Sequence, residues 1–172
     1  MLKVKDLINQ WETLLGNENV KYDNDSLLNY SHDETEDLSF LPEVVLKPST
    51  PQQISEILKT CNEYKIPVTP RGAGTGLSGG ALPIFGGVLL SMEKFNKIID
   101  IDEQNLQATV EPGVITQVFQ ETVAAKGLFY PPDPSSRGSC FIGGNLAESS
   151  GGPKAVKYGV TKDYVLNLEV VL

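Results

Sequence analysis

Thirteen of the sixteen glycines fall in two windows, Gly72 to Gly87 and Gly138 to Gly159. Glycine weakens a regular element through backbone entropy, so a cluster of it marks backbone that must turn, bulge or let another group come close. The chain is therefore built around two loop regions, and the segments outside them have to supply the core. Leu, Ile, Val and Phe make up 51 of the 172 residues, enough to fold. The length suits one core, or one core cut short.

Helical spacing of Val4, Leu7, Ile8, Trp11, Leu14 and Leu15 predicts an N-terminal helix that stops at Gly16, with Trp11 in the core. Val44-Val45-Leu46 reads as a buried strand. Ile54, Ile57, Leu58, Cys61 and Tyr64 mark a helix face, opened by Thr50 and Gln53 as a capping box with Pro51 at the first position. Ile66 to Thr69 resumes as a strand, giving a strand-helix-strand unit of right-handed connection. Val88 to Met92, Ile98 to Ile101 and Leu106 to Val110 read as short strands. A helix face of Ile115, Val118, Phe119, Thr122 and Val123 follows, closed by Gly127, and Tyr130 to Pro134 is too proline-rich for a helix or a central strand. Leu166, Leu168, Val170 and Leu172 alternate like a strand that is still running at the last residue, which suggests a fragment of a longer protein. Its open edge makes a homodimer by strand pairing an expectation.

Ten acids face three bases over residues 1–43, and the net charge of −8 argues against nucleic acid as a partner. His32 lies in the acidic stretch from Asp23 to Asp37 and reads as a solvated loop residue. Cys61 and Cys140 are far apart with no CxxC, which fits small buried thiols in a reducing cytoplasm and disfavours zinc. The N-terminal segment is amphipathic, with no signal peptide or membrane span expected.

Gly74-Thr75-Gly76-Leu77-Ser78-Gly79 matches G-x-G-x-x-G, but the residues after it lead through Pro83 and Gly86-Gly87 into another strand. There is no room for the helix a dinucleotide fingerprint needs, so an NAD site is set aside. A glycine loop between strands still suits phosphate, because successive N–H groups can converge on an anion. Thr75 and Ser78 add hydroxyls. The chain's two arginines, Arg71 and Arg137, each open one window. In the second window, Ser139, the Gly143-Gly144-Asn145 run and Ser149-Ser150-Gly151-Gly152 pair glycine with small donors, which suits a planar polar ring lying against backbone. The same Gly-Gly-Asn run can also be a turn.

Taken together, Pro70 to Gly80, Val110-Glu111-Pro112-Gly113, Pro132-Asp133-Pro134-Ser135-Ser136, Ile142-Gly143-Gly144-Asn145 and Lys157-Tyr158-Gly159 resemble the FAD-binding domain of the vanillyl-alcohol oxidase (PCMH-type) flavoproteins. Within it they are similar to the glycolate oxidase FAD-binding subunit and D-lactate dehydrogenase group. Tyr30-Ser31-His32-Asp33 resembles that group's N-terminal segment. The resemblance implies an α+β fold, with a small strand-helix-strand subdomain packed on a mixed or antiparallel sheet and truncated at its C-terminus. Residues 1–43 would form a helical, acidic leader and 44–172 an incomplete FAD-binding domain, with the substrate cap domain absent.

By the same resemblance, Arg71, Gly72, Ala73, Gly74, Thr75, Gly76, Leu77 and Ser78 wrap the FAD pyrophosphate. Pro132, Asp133, Ser136, Ser139, Gly143, Asn145, Ser149, Gly151 and Gly152 approach the ribityl chain and the flavin ring. No His or Cys lies between Arg71 and Gly80, so FAD is expected to be non-covalent. The implied reaction is oxidation of a small 2-hydroxy acid to a 2-oxo acid. No general base is identified, and the substrate groups belong to the missing cap, so the fragment alone is expected to be inactive. The rival reading is a flavin-free structural or binding module, such as one subunit of a split enzyme.

Overall fold

The computed structural model describes residues 4–172. They divide into two compact units, one running to Lys94 and taking in Val170–Leu172, the other spanning Phe95–Glu169.

The first unit contains helix α1 (Val4–Leu15), strand β1 (Val20–Lys21), helix α2 (Asn24–Asn29), strand β2 (Val44–Leu46), helix α3 (Pro51–Tyr64) and strands β3 (Val68–Arg71) and β4 (Val88–Ser91). Its sheet is mixed, in the order β1-β2-β4-β3, with β4 parallel to both neighbours and β1 antiparallel to β2. The strand-helix-strand unit β2-α3-β3 is therefore part of the sheet, and β4 lies between its two strands. All four residues of β4 are buried, as a central parallel strand requires. Trp11, Val44, Leu46, Ile57 and Val88 are fully buried in one core, so α1 belongs to the sheet's packing.

Helix ends follow the local chemistry. Gly16, at φ 86, closes α1, and its N–H reaches the Glu12 carbonyl at 2.8 Å. Thr50 Oγ1 accepts from the Gln53 N–H at 3.2 Å. The return half of the expected capping box is displaced by one residue: Gln53 Oε1 accepts from the Ser49 N–H at 2.8 Å instead of from Thr50. Gln53 Nε2 then donates to the Leu14 carbonyl at 3.0 Å, tying α3 to α1. The acidic stretch contains α2, capped by Asp23, whose carboxylate accepts from the Ser26 N–H at 2.9 Å. Neither α2 nor β1 was legible from apolar spacing, since each is too short to show a period.

In the second unit, β5 (Ile98–Asp102) and β6 (Gln107–Val110) form an antiparallel pair, followed by helices α4 (Thr116–Ala124), α5 (Ile142–Glu148) and α6 (Ala155–Tyr158). Leu106, expected to open a strand, sits at φ 57 in the turn. The buried face of α4 is Thr116, Phe119 and Val123, and Val118 is exposed. Two elements depart from expectation. Gly143-Gly144-Asn145 is not a turn but the first half of α5; tertiary packing overrides the helix cost of two glycines. Residues 165–172 form no strand, because alternation describes a face to bury and supplies no neighbouring ladder, and none of the described residues pairs with them. Leu166, Leu168, Val170 and Leu172 are exposed.

Candidate functional site

The first candidate region is the loop that leaves β3. Strand β3 ends two residues later than expected, so Arg71 is a strand residue, 7% exposed. Its Nη2 donates to the His32 carbonyl at 2.8 Å, while Nη1 is buried without a hydrogen-bond partner. Burial lowers the Arg71 pKa, and the nearby Asp33 carboxylate and Tyr30 act against that. Gly74 has φ 74, which favours glycine, and a Cβ there would lie 2.2 Å from Arg71 Nη2, so the guanidinium would have to move for any other residue.

Beyond Arg71 the loop contains no helix, as the following strand demanded. The Glu34 N–H donates to the Gly76 carbonyl at 3.2 Å, and the Gly79 N–H donates to Thr35 Oγ1 at 2.9 Å. In contrast, the amides of Gly72 to Leu77 donate to no acceptor among the described residues. Leu77 is exposed, and Ala73 and Thr75 are half-buried. A Cβ on Gly76 would meet nothing within 4 Å, and its φ is not positive. Nothing in the chain's own fold calls for glycine at that position.

Next to Arg71 lies a polar cluster that apolar and glycine patterns did not reveal. Lys47 Nζ contacts Glu93 Oε1 at 2.7 Å. Tyr30 Oη and Ser91 Oγ donate to Glu93 Oε2 at 2.8 and 3.0 Å. Burial would raise the Glu93 pKa, but the bonds from Lys47 and Tyr30 outweigh it and hold the carboxyl below its ordinary value. The Arg71 guanidinium lies 5.8 Å from the Tyr30 ring centroid. These groups come from residues up to 63 apart in the chain, so spacing carries no signal for them. Only the Tyr30-Ser31-His32-Asp33 motif pointed to the region.

The second candidate region lies in the other unit. Pro132 and Asp133 are buried in the stiff loop, and the Pro132 carbonyl accepts from Gln120 Nε2 at 2.8 Å. Asp133 Oδ2 faces Lys154 Nζ at 3.0 Å and Arg137 Nη1 at 3.8 Å. Its N–H donates to the Gly151 carbonyl at 3.1 Å. A Cβ on Gly152 would stand 2.3 Å from the Asp133 carbonyl oxygen, so the backbone at Asp133 packs directly on Gly151 and Gly152. Ser136 and Ser139 sit in a separate turn, where Ser139 Oγ donates to the Ser136 carbonyl at 3.2 Å.

Helix α5 fixes the remaining residues. A Cβ on Gly143 would lie 2.6 Å from Pro112 Cβ, which explains that glycine by packing, whereas Gly144 faces open space. Asn145 is buried, and its Nδ2 donates to Thr116 Oγ1 at 2.5 Å, so its amide holds the helix in place. Ser149 closes α5 at φ 49, and its hydroxyl is buried without a partner. A non-glycine residue in the left-handed region is uncommon. No group of three or more His, Cys, Asp or Glu able to hold a metal occurs among the described residues.

Residues 42–172 match the family described as FAD binding domain, and the chain belongs to that family. Its fold is the α+β, PCMH-type FAD-binding fold, and the family's cofactor is FAD. The chain is 49% identical over 168 residues to glycolate oxidase subunit GlcD of Bacillus subtilis, covering 98% of this chain and 36% of that protein. It is 45% identical over 131 residues to a D-lactate dehydrogenase of Anaerostipes hadrus, covering 76% and 27%. The chain thus spans about a third of the length of these relatives. Among solved structures, alkyldihydroxyacetonephosphate synthase superposes with a TM-score of 0.84 at 18% identity, over 94% of this chain and 32% of that one. A p-cresol methylhydroxylase superposes with a TM-score of 0.74 at 28% identity, over 85% and 29%. No helix among the described residues is long and apolar enough to cross a membrane.

Proposed function

We propose that this chain binds FAD non-covalently and is the cofactor-holding part of an oxidoreductase that converts a small 2-hydroxy acid, of the glycolate or D-lactate kind, to the 2-oxo acid. The observation that carries the reading is Gly76: the space a Cβ would take is empty and its φ is not positive, yet it is glycine beside a run of uncommitted amides. A ligand lying against the backbone accounts for both facts.

Arg71 through Ser78 would hold the pyrophosphate, the N–H groups of Gly72 to Leu77 as donors and Arg71 as a buried positive charge. Gly144 would admit the ring side as Gly76 admits phosphate, and the buried Ser149 hydroxyl would donate to it. Pro132, Asp133, Gly151 and Gly152 would shape the backbone there, Gly143 and Asn145 would hold α5 in place, and Ser136 and Ser139 would border the ribityl chain. When bound, FAD supplies the two-electron chemistry, accepting a hydride from the substrate α-carbon. Substrate recognition and proton removal fall to groups outside this chain, and the chain alone is expected to be inactive. The same reading includes a cytoplasmic location, supported by two buried unpaired cysteines, and a homodimer, supported by the exposed apolar residues of 166–172.

Titration with FAD, followed by flavin fluorescence, tests the proposal. Gly76→Ala should leave the melting temperature unchanged and weaken binding by about tenfold or more, the scale of one lost close contact set. Unaltered affinity in that variant would refute the assignment of this loop, and a wild-type dissociation constant weaker than about 1 mM would remove FAD binding from the chain itself.

A further inference from the structure

We propose that the segment His32–Thr35, which precedes the residues matched to the FAD binding domain, is a brace that fixes the first glycine loop with the Leu77 N–H turned outward, and that Thr35 is the positioning residue. Three hydrogen bonds join the two segments: Arg71 Nη2 to the His32 carbonyl, the Glu34 N–H to the Gly76 carbonyl, and the Gly79 N–H to Thr35 Oγ1. Within the brace, Asp33 Oδ1 accepts from the Thr35 N–H at 2.9 Å, which sets Thr35 in place.

The direction follows from peptide geometry. In a trans peptide the C=O and N–H point opposite ways. The Gly76 carbonyl is held toward Glu34, so the Leu77 N–H in the same peptide plane points away from the brace. The Gly79 N–H is held toward Thr35, which turns the Ser78 carbonyl away in the same manner. The brace is acidic, with Asp33 and Glu34 in it and Glu36 and Asp37 directly after it. Charge therefore disfavours an anion on the brace side, and on the other side the Leu77 N–H is the donor that can receive one. Arg71 supports the arrangement from beneath, where the missing side chain of Gly74 leaves space for its guanidinium.

The cofactor consequence rests on the FAD reading above; the brace itself does not. Backbone ¹⁵N order parameters for residues 72–79 should be near about 0.85 in the wild-type chain and fall toward about 0.6 in Thr35→Val, with β2 and β4 unchanged. Thr35→Ser, which restores the acceptor, should return them. A mobile wild-type loop, an unchanged loop in Thr35→Val, or a fall shared equally with β2 and β4 would each overturn the brace. In a parallel FAD titration, Thr35→Val should weaken binding about tenfold, the size of one lost hydrogen bond, with Thr35→Ser near wild type. Equal affinity in wild type and Thr35→Val overturns the brace as a cofactor determinant and leaves the FAD reading intact. If the wild-type chain fails to bind FAD, that reading falls and the order parameters still decide the brace.

Discussion

Cys61 shows how one residue sets a stability limit. Its side chain is enclosed in the first core, and burial raises its thiol from an ordinary 9.0 to about 11. Between these values the unfolded chain has shed a proton that the folded chain retains. Raising the pH therefore favours unfolding: the stability is fully present below about pH 9 and is lost as pH rises through about pH 11. Urea midpoints measured across this range should fall more steeply for the wild type than for Cys61→Ala, although the variant begins lower because of the cavity it creates. The half-buried Tyr30 and Tyr130, whose pKa values are also raised, add the same slope to both proteins. Parallel curves for the two proteins would show that Cys61 is not the source.

Among elements, α5 depends most on a single polar contact. Asn145 Nδ2 donates to the buried Thr116 Oγ1, whose hydroxyl lies 3.3 Å from the Cys140 carbonyl. Thr116→Val keeps the shape but leaves the Asn145 amide without its acceptor, at a cost of about 1–3 kcal/mol. In thermal denaturation, Asn145→Ala should then cost less in the Thr116→Val background than in wild type, and full additivity would show that the two side chains are not coupled. This contact also marks where the sequence stopped being informative. Helices α1 and α3 and strands β2, β4 and β5 announce themselves through apolar spacing and caps, because their signals are local. Thr116 carries no signal on α4 because a polar residue does not count toward an apolar face, and α5 carries none because two glycines outweigh its propensity until Pro112 packs on Gly143. The site divides in the same way. The first loop was legible in its glycines, whereas Thr35 acts on Gly79 across 44 residues, a separation that no motif spans.

At the scale of the whole molecule, the question is what the exposed apolar residues do. Leu166 and Leu168 are 75% and 53% exposed, with Val170 and Leu172 also open to solvent. Scattered exposed leucines are ordinary, but four alternating within seven residues are a short, unpaired, strand-compatible segment of the kind that associates with another chain. The net charge of −8 opposes such association by repulsion. Replacing Leu166 and Leu168 with lysine separates the two effects, because it removes apolar surface while reducing the net negative charge by two. If repulsion alone governed the oligomeric state, the double variant would associate more readily than wild type. If the apolar segment is the contact, sedimentation velocity over a wide concentration range should show wild type shifting toward dimer and the variant remaining monomeric. A wild type that stays monomeric throughout would end the homodimer reading.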